Sequence, residues 1–186
     1  PTTNSSTGKE YYMNLSGRNN SNPASELEQN LEFLRQTYFF SGIPLEALKV
    51  FAYLCTREKF KSGEYLFRQG EDDGQAFYII EGKAVLEYKQ NDETIKVRDC
   101  VSGEFLGGLT LVGEMRRLFS LKAAEDTICL ILIREKFAKT MEQFADMMPK
   151  IFKAMVNGID DWEARFLADR TDKCGDCMER LGVSLL

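Results

Sequence analysis

Residues 103–123, GEFLGGLTLVGEMRRLFSLKA, bring four glycines, an apolar run and the adjacent pair Arg116–Arg117 into one short stretch. Glycine-rich backbone can turn several N–H groups toward one point, and a guanidinium offers a planar, two-pronged donor. Together these groups can hold a phosphate. The same letters also describe a hairpin whose arginines face water. Where the rest of the chain places the stretch decides between the two.

Other chemistry is narrowed by what the chain lacks. It has no histidine among 186 residues. That excludes Ser–His and Cys–His nucleophile pairs and histidine-ligated metal sites. An enzyme of the cupin-like jelly-roll class is disfavoured on this ground, and no catalysis is expected. Cys55 and Cys129 lie in apolar runs and read as small buried residues. Cys174 and Cys177 form a lone C-x-x-C near the C-terminus. One chain supplies two of the four ligands that zinc requires. An incidental pair, a metal site shared between two chains and a redox pair stay open as readings.

The net charge of -5, from 24 basic and 29 acidic side chains, argues against a general nucleic-acid binder. Direct DNA binding is not expected. No run of 18 or more apolar residues suggests a membrane span, and no secretory leader pattern is visible. The chain starts at Pro1, as a processed or truncated chain would, and the default expectation is a cytoplasmic protein.

The elements that must position the glycine–arginine stretch are legible from periodicity. Residues 1–24, rich in Ser, Thr, Asn and Gly, read as a flexible tail. Ser25 and Glu28 form a capping-box pattern, followed by Leu27, Leu31 and Leu34 at helical spacing. Gly42 breaks the chain, Pro44 opens a second helix, and Leu45, Leu48, Phe51 and Leu54 line one of its faces. From Arg57 to Ile133 short β-rich runs alternate with turn signals: EYLFRQ, QAFYII, KAVLEYK, TIKVRDC, LFSLKA and TICLILI. Evenly spaced strands of this kind predict an antiparallel sandwich, barrel or jelly roll. Helical spacing returns with Phe137, Met141 and Phe144. After Pro149, the residues Met148, Phe152, Met155, Ile159, Trp162 and Phe166 fall on a heptad seam, interrupted by Asn157–Gly158. The seam fits a homodimer contact or a helix packed on its own barrel.

This order of elements, and the stretch SGEYLFRQGEDDGQAFYIIEGKAVL, resemble the cyclic nucleotide-binding domain family of the catabolite activator protein and the protein kinase A regulatory subunits. Gly63, Glu64, Gly70, Asp73, Phe77, Tyr78, Ile79, Gly82 and Val85 stand at signature positions. The resemblance implies a mainly β protein, an eight-stranded antiparallel β jelly roll with N-terminal helices and a long C-terminal helix. The implied division is a jelly-roll unit over 25–135, helices over 136–170 and a tail over 171–186. It also implies a sensory or regulatory module without catalytic machinery, signalling through its C-terminal helices or through a protein partner.

In that family the opening stretch is the phosphate-binding cassette, which reads F-G-E-x-A followed by R-x-A-[TS]. The implied ligand-binding residues are Gly107, Gly108, Leu109, Thr110, Arg117, Leu118, Phe119 and Ser120. Gly103, Phe105, Gly107, Arg117 and Ser120 fit. Gly108 stands where the ribose-binding glutamate belongs, Thr110 where an alanine belongs, and Phe119 where a small alanine belongs. Losing a hydrogen bond to a charged acceptor costs about 1.5–3 kcal/mol, roughly 10- to 100-fold in affinity. Weak, altered or lost binding of a cyclic nucleotide, or of another phosphate-bearing ligand, is therefore expected. Phe119 is expected to crowd the pocket as a built-in ligand, and Arg117 to pair with Glu104 or Glu114 if no ligand is taken. About 20 residues follow Phe166, too few for a helix-turn-helix domain. A structural protein-interaction module with an empty or self-filled pocket is the rival reading, and a genuine cAMP or cGMP receptor is a further one.

Overall fold

The computed structural model describes residues 23–91 and 93–168. Cys174, Cys177 and the expected tail over 171–186 lie outside the described residues, as does most of the expected tail over 1–24.

Among the described residues eight strands form two four-stranded sheets: β1 (Thr56–Phe60), β2 (Tyr65–Phe67), β3 (Gln75–Glu81), β4 (Lys83–Gln90), β5 (Glu93–Val101), β6 (Phe105–Leu106), β7 (Ser120–Ala123) and β8 (Thr127–Ile133). One sheet runs β1-β8-β3-β6 and the other β2-β7-β4-β5, and the strand pairs are antiparallel. The expected antiparallel jelly roll is what the chain forms.

Helices cover the outer face of the first sheet: α1 (Pro23–Gln36), α2 (Leu45–Leu54), α3 (Gly108–Val112), α4 (Arg134–Gln143) and α5 (Met148–Ala168), with short 3₁₀ turns at Tyr38–Phe40 and Ala145–Met147. This makes three layers with two cores. Phe77 and Ile79 of β3 and Cys129 and Ile131 of β8 face the core between the sheets. Their alternates, Ala76, Tyr78, Leu130 and Leu132, face the helices. A strand buried on both faces can be apolar at every position, which is why QAFYII and TICLILI read as nearly continuous hydrophobic runs.

Two local expectations need correction. Helix α1 already runs at Pro23, so Ser25 lies inside its first turn and is not the N-cap; proline is tolerated there because first-turn N–H groups have no intrahelical partner. On α2 the buried face is Ala47, Leu48, Phe51 and Ala52, and Leu45 is exposed. The small alanines let α2 approach its neighbours, while Leu45, following Pro44, points outward. Lys136 Nζ donates to the Leu54 carbonyl at 2.9 Å, which fastens α4 to the end of α2.

The heptad seam divides. Met148 and Met155 pack against the helical core, beside the fully buried Ile151. Phe152 is 49% and Trp162 50% exposed. Phe166 lies on α5. No helix among the described residues is long and apolar enough to cross a membrane.

Candidate functional site

The glycine–arginine stretch lies where the first sheet, α3 and the loop between β2 and β3 meet. Gly107 turns the chain from β6 into α3 with a left-handed φ of 84°. A Cβ there would come within 2.5 Å of Arg117 Nη1 and 2.8 Å of the Gln75 carbonyl, so only glycine lets the guanidinium lie this close. Thr110, where the family pattern has alanine, is buried. Its hydroxyl donates toward the Gln75 carbonyl at 2.8 Å and the Gly107 carbonyl at 2.7 Å. It thus ties α3 to β3.

Arg117 is buried, and its guanidinium is already engaged. Nη2 donates to Asp73 Oδ1 at 2.7 Å, and Nε lies 3.2 Å from Oδ1 and 3.3 Å from Oδ2. Nη2 also donates to the Gln75 carbonyl. The planar group stacks on Phe67, 4.0 Å from the ring centre. Its partner is therefore Asp73, neither Glu104 nor Glu114. Glu104 is held by Arg98, 2.6 Å away, and by the Val101 N–H at 3.0 Å. Proximity in sequence misled the expectation: Asp73 is 44 residues from Arg117 and is delivered by the loop between β2 and β3. That loop is itself clamped, because the Arg117 N–H donates to the Glu71 carbonyl and the Gly70 N–H to the Arg117 carbonyl, both at 2.8 Å.

A second arginine was not foreseen. Arg134, the first residue of α4, donates through Nε to the Thr110 carbonyl at 2.6 Å and pairs with Asp72. Hydrogen bonding to Arg134 holds the Asp72 carboxyl below the usual carboxylate range, and the same contact raises the arginine. One side chain therefore joins α3, α4 and the loop between β2 and β3.

In front of Arg117 lies a cavity of about 240 Å³ whose walls include Phe67, Leu86, Leu106, Met115 and Phe119. Among the described residues Arg117 is the one charged residue in this lining. Phe119 forms a wall and meets Tyr88 edge-on at 6.1 Å; it crowds the cavity without closing it. Ser120, the last residue of the cassette pattern, is not in the lining: its hydroxyl accepts the Gln69 N–H at 2.9 Å. Arg116 is exposed. At Gly108 a Cβ would stand 2.7 Å from the Phe39 ring. The position of the missing glutamate is thus backed by an aromatic side chain of the helical layer.

Gly108, Leu109 and Leu118 also line a second, larger groove of about 780 Å³. Its other walls include Tyr38, Phe39, Met155, Ile159 and Trp162. The cassette and α5 therefore share one wall. The buried thiols lie elsewhere: Cys100 and Cys129 are in the core between the sheets, and burial pushes Cys129 up to about 12 and Cys100 to about 11. They are packing residues, as is half-buried Cys55.

Comparison with known proteins agrees with this geometry. Residues 57–144 match the family model described as the cyclic nucleotide-binding domain. Human cGMP-dependent protein kinase 2 is 26% identical over 141 residues, which are 74% of this chain and 18% of the kinase; the chain thus corresponds to under a fifth of that enzyme. The regulatory domain of Toxoplasma gondii protein kinase A, solved with cAMP, superposes with a TM-score of 0.58 at 24% identity, over 68% of this chain and 49% of that one. The regulatory subunit of a cAMP-independent protein kinase A from Trypanosoma cruzi, solved bound to guanosine, gives 0.56 at 24% identity over 67% and 44%. With its signature glycines, its two-sheet jelly roll and its arginine-bearing cassette, the domain over residues 57–144 belongs to the cyclic nucleotide-binding domain family.

Proposed function

We propose that this chain is a non-enzymatic regulatory module in which occupancy of the cassette is relayed to α5, and in which cAMP and cGMP bind weakly or not at all. The observation that carries the reading is the shared wall: Gly108, Leu109 and Leu118 line both the cavity before Arg117 and the groove walled by α5. A ligand that shifts α3 changes the surface against which α5 packs, and a difference in affinity between the two arrangements is all that regulation requires. Arg134 offers a second route, since it links the Thr110 carbonyl directly to the start of α4.

Weak nucleotide binding follows from three features. Among the described residues no carboxylate lines the cavity to accept a ribose hydroxyl. Phe39 takes the space beside Gly108. Two of the three guanidinium nitrogens of Arg117 are committed to Asp73 and Gln75. That the regulatory subunit of a cAMP-independent protein kinase A, similar in fold, is solved bound to guanosine supports a departure of this kind. The kinase activity of the longer relatives is not carried over to this chain. A second copy of the chain is the proposed partner, through the exposed Phe152 and Val156 of α5. We place the module in the cytoplasm, where the thiols of Cys55, Cys100 and Cys129 stay reduced.

Calorimetric titration with cAMP and with cGMP tests the reading, with emission of the single tryptophan, Trp162, as the report from α5. Heat is expected only at millimolar nucleotide. Sub-micromolar affinity for either would overturn the weak-binding claim. Saturable binding of any small molecule in the cavity without a change at Trp162 would overturn the relay.

A further inference from the structure

Two observations about the cavity and the groove point to one ligand chemistry. The first is charge. Among the described residues lining either space, Arg117 is the single charged side chain. Asp73 holds its Nε and Nη2 edge. Nη1 makes no hydrogen bond among the described residues and lies over Gly107, which lines the cavity together with Arg117. One pronged donor therefore remains, enough for one anionic group. The second is exposure. Leu109 is 42%, Leu118 63% and Trp162 50% exposed, and all three line the same groove. Large apolar side chains left open around one concave surface mark a binding site more often than chance.

The volumes agree. About 240 Å³ before Arg117 is below the roughly 300–1,000 Å³ usual for a small-molecule site. The adjoining groove of about 780 Å³ falls within that range. Gly108, Leu109 and Leu118 line both spaces, so a ligand with its head in the cavity can reach the groove across Leu109 and Leu118. Among the described residues neither space offers a carboxylate to pair with ribose hydroxyls.

We propose that the site takes an anionic amphiphile, a carboxylate or phosphate monoester on an extended apolar body, with its head on Arg117 Nη1 and its body in the groove between Leu109, Leu118 and Trp162. This deepens the regulatory reading and rests on it. The anion would be read by the cassette, and the body would touch α5 directly.

The test uses the whole chain, titrated by calorimetry with sodium dodecanoate and with dodecyl phosphate, each below its critical micelle concentration, and with dodecanol and inorganic phosphate as partial ligands. Emission of Trp162 is recorded in parallel. The expected result is one site per chain, a shift in Trp162 emission, and at least roughly tenfold weaker binding of dodecanol and of phosphate alone, since a hydrogen bond to a charged group is worth about that factor or more. The two charged probes tell a carboxylate head from a phosphate head. Leu118→Glu places a like charge at an exposed position outside the core. It should weaken the charged probes at least roughly tenfold while leaving the unfolding midpoint unchanged. Arg117→Met should remove the preference for the charged probes over dodecanol. Failure of both charged probes, multiple non-saturating sites, equal affinity for dodecanol, or indifference to Leu118→Glu would each overturn the proposal. None of these results would restore tight cAMP or cGMP binding, so the weak-nucleotide reading stands or falls on its own titration.

Discussion

At the scale of single residues, the cassette is governed by two arginine–aspartate pairs with different surroundings. The Arg117 side chain is 6% and the Asp73 side chain 17% exposed. Removing one partner of a buried pair leaves the other charge uncompensated, which typically costs about 3–5 kcal/mol. Asp73→Asn retains some hydrogen bonding and some solvent, so a loss of about 2–4 kcal/mol in urea unfolding is expected. A loss below about 0.5 kcal/mol, the size of an ordinary surface change, would show that the pair does not hold the loop. The Asp72–Arg134 pair behaves differently, being open to solvent. Hydrogen bonding to Arg134 lowers the Asp72 carboxyl in the folded protein. A carboxyl lowered on folding stabilises the native state above its unfolded pKa, and this contribution is lost as pH falls through the folded one. Stability should therefore decline on acidification below the ordinary carboxylate range, and Asp72→Asn should flatten that acid limb. Unfolding midpoints measured from neutral to acid pH check this; parallel curves for the two proteins would contradict it.

At the scale of elements, what the sequence disclosed depended on the range of the signal. Strands β3, β4, β5 and β8 were plain from β-rich runs between turns. Strand β1 was not, because TREKF is charged and exposed along an edge beside β8. Strand β6 has two residues, too few for any period to show. Gly107, Gly108 and Arg117, singled out in the sequence, line one cavity, but the Arg117–Asp73 pair and the approach of Phe39 to Gly108 span distant segments, which no local pattern encodes. This matters for engineering. Restoring the family glutamate by Gly108→Glu looks corrective in sequence, yet its Cβ would meet the Phe39 ring at 2.7 Å. Overpacking typically costs about 1–3 kcal/mol, so the variant should lose about that in unfolding and gain no nucleotide affinity unless Phe39 is also reduced. Gly158 on α5 is the opposite case. A Cβ there would lie 3.6 Å from Tyr38, an ordinary contact. Glycine inside a helix is about 0.8–1 kcal/mol worse than alanine. Gly158→Ala should therefore stabilise the fold by about 0.5–1 kcal/mol, read as a higher urea midpoint; a lower midpoint would show that α5 needs the glycine to pack.

At the scale of the whole molecule, α5 has more apolar surface than its own barrel uses. Ile151 enters the helical core, while Ala154, Met155, Ile159 and Trp162 line the groove beside the cassette. Phe152 at 49% and Val156 at 63% exposure lie on neither surface. The heptad pattern therefore combines positions with different tasks, and the exposed pair is what a second copy would cover. A stable interface buries about 1,200–2,000 Å², more than two side chains per copy provide. A homodimer through this stripe should accordingly be weak and concentration-dependent. Sedimentation velocity over a wide concentration range should show wild-type protein moving from monomer toward dimer. Phe152→Asp should stay monomeric throughout and keep the wild-type unfolding midpoint, because the side chain it replaces is half exposed and outside both cores. Wild-type protein that sediments as a monomer at every concentration would reduce the seam to a packing face within one chain, and would leave any signal from the cassette to be read by a different partner on α5.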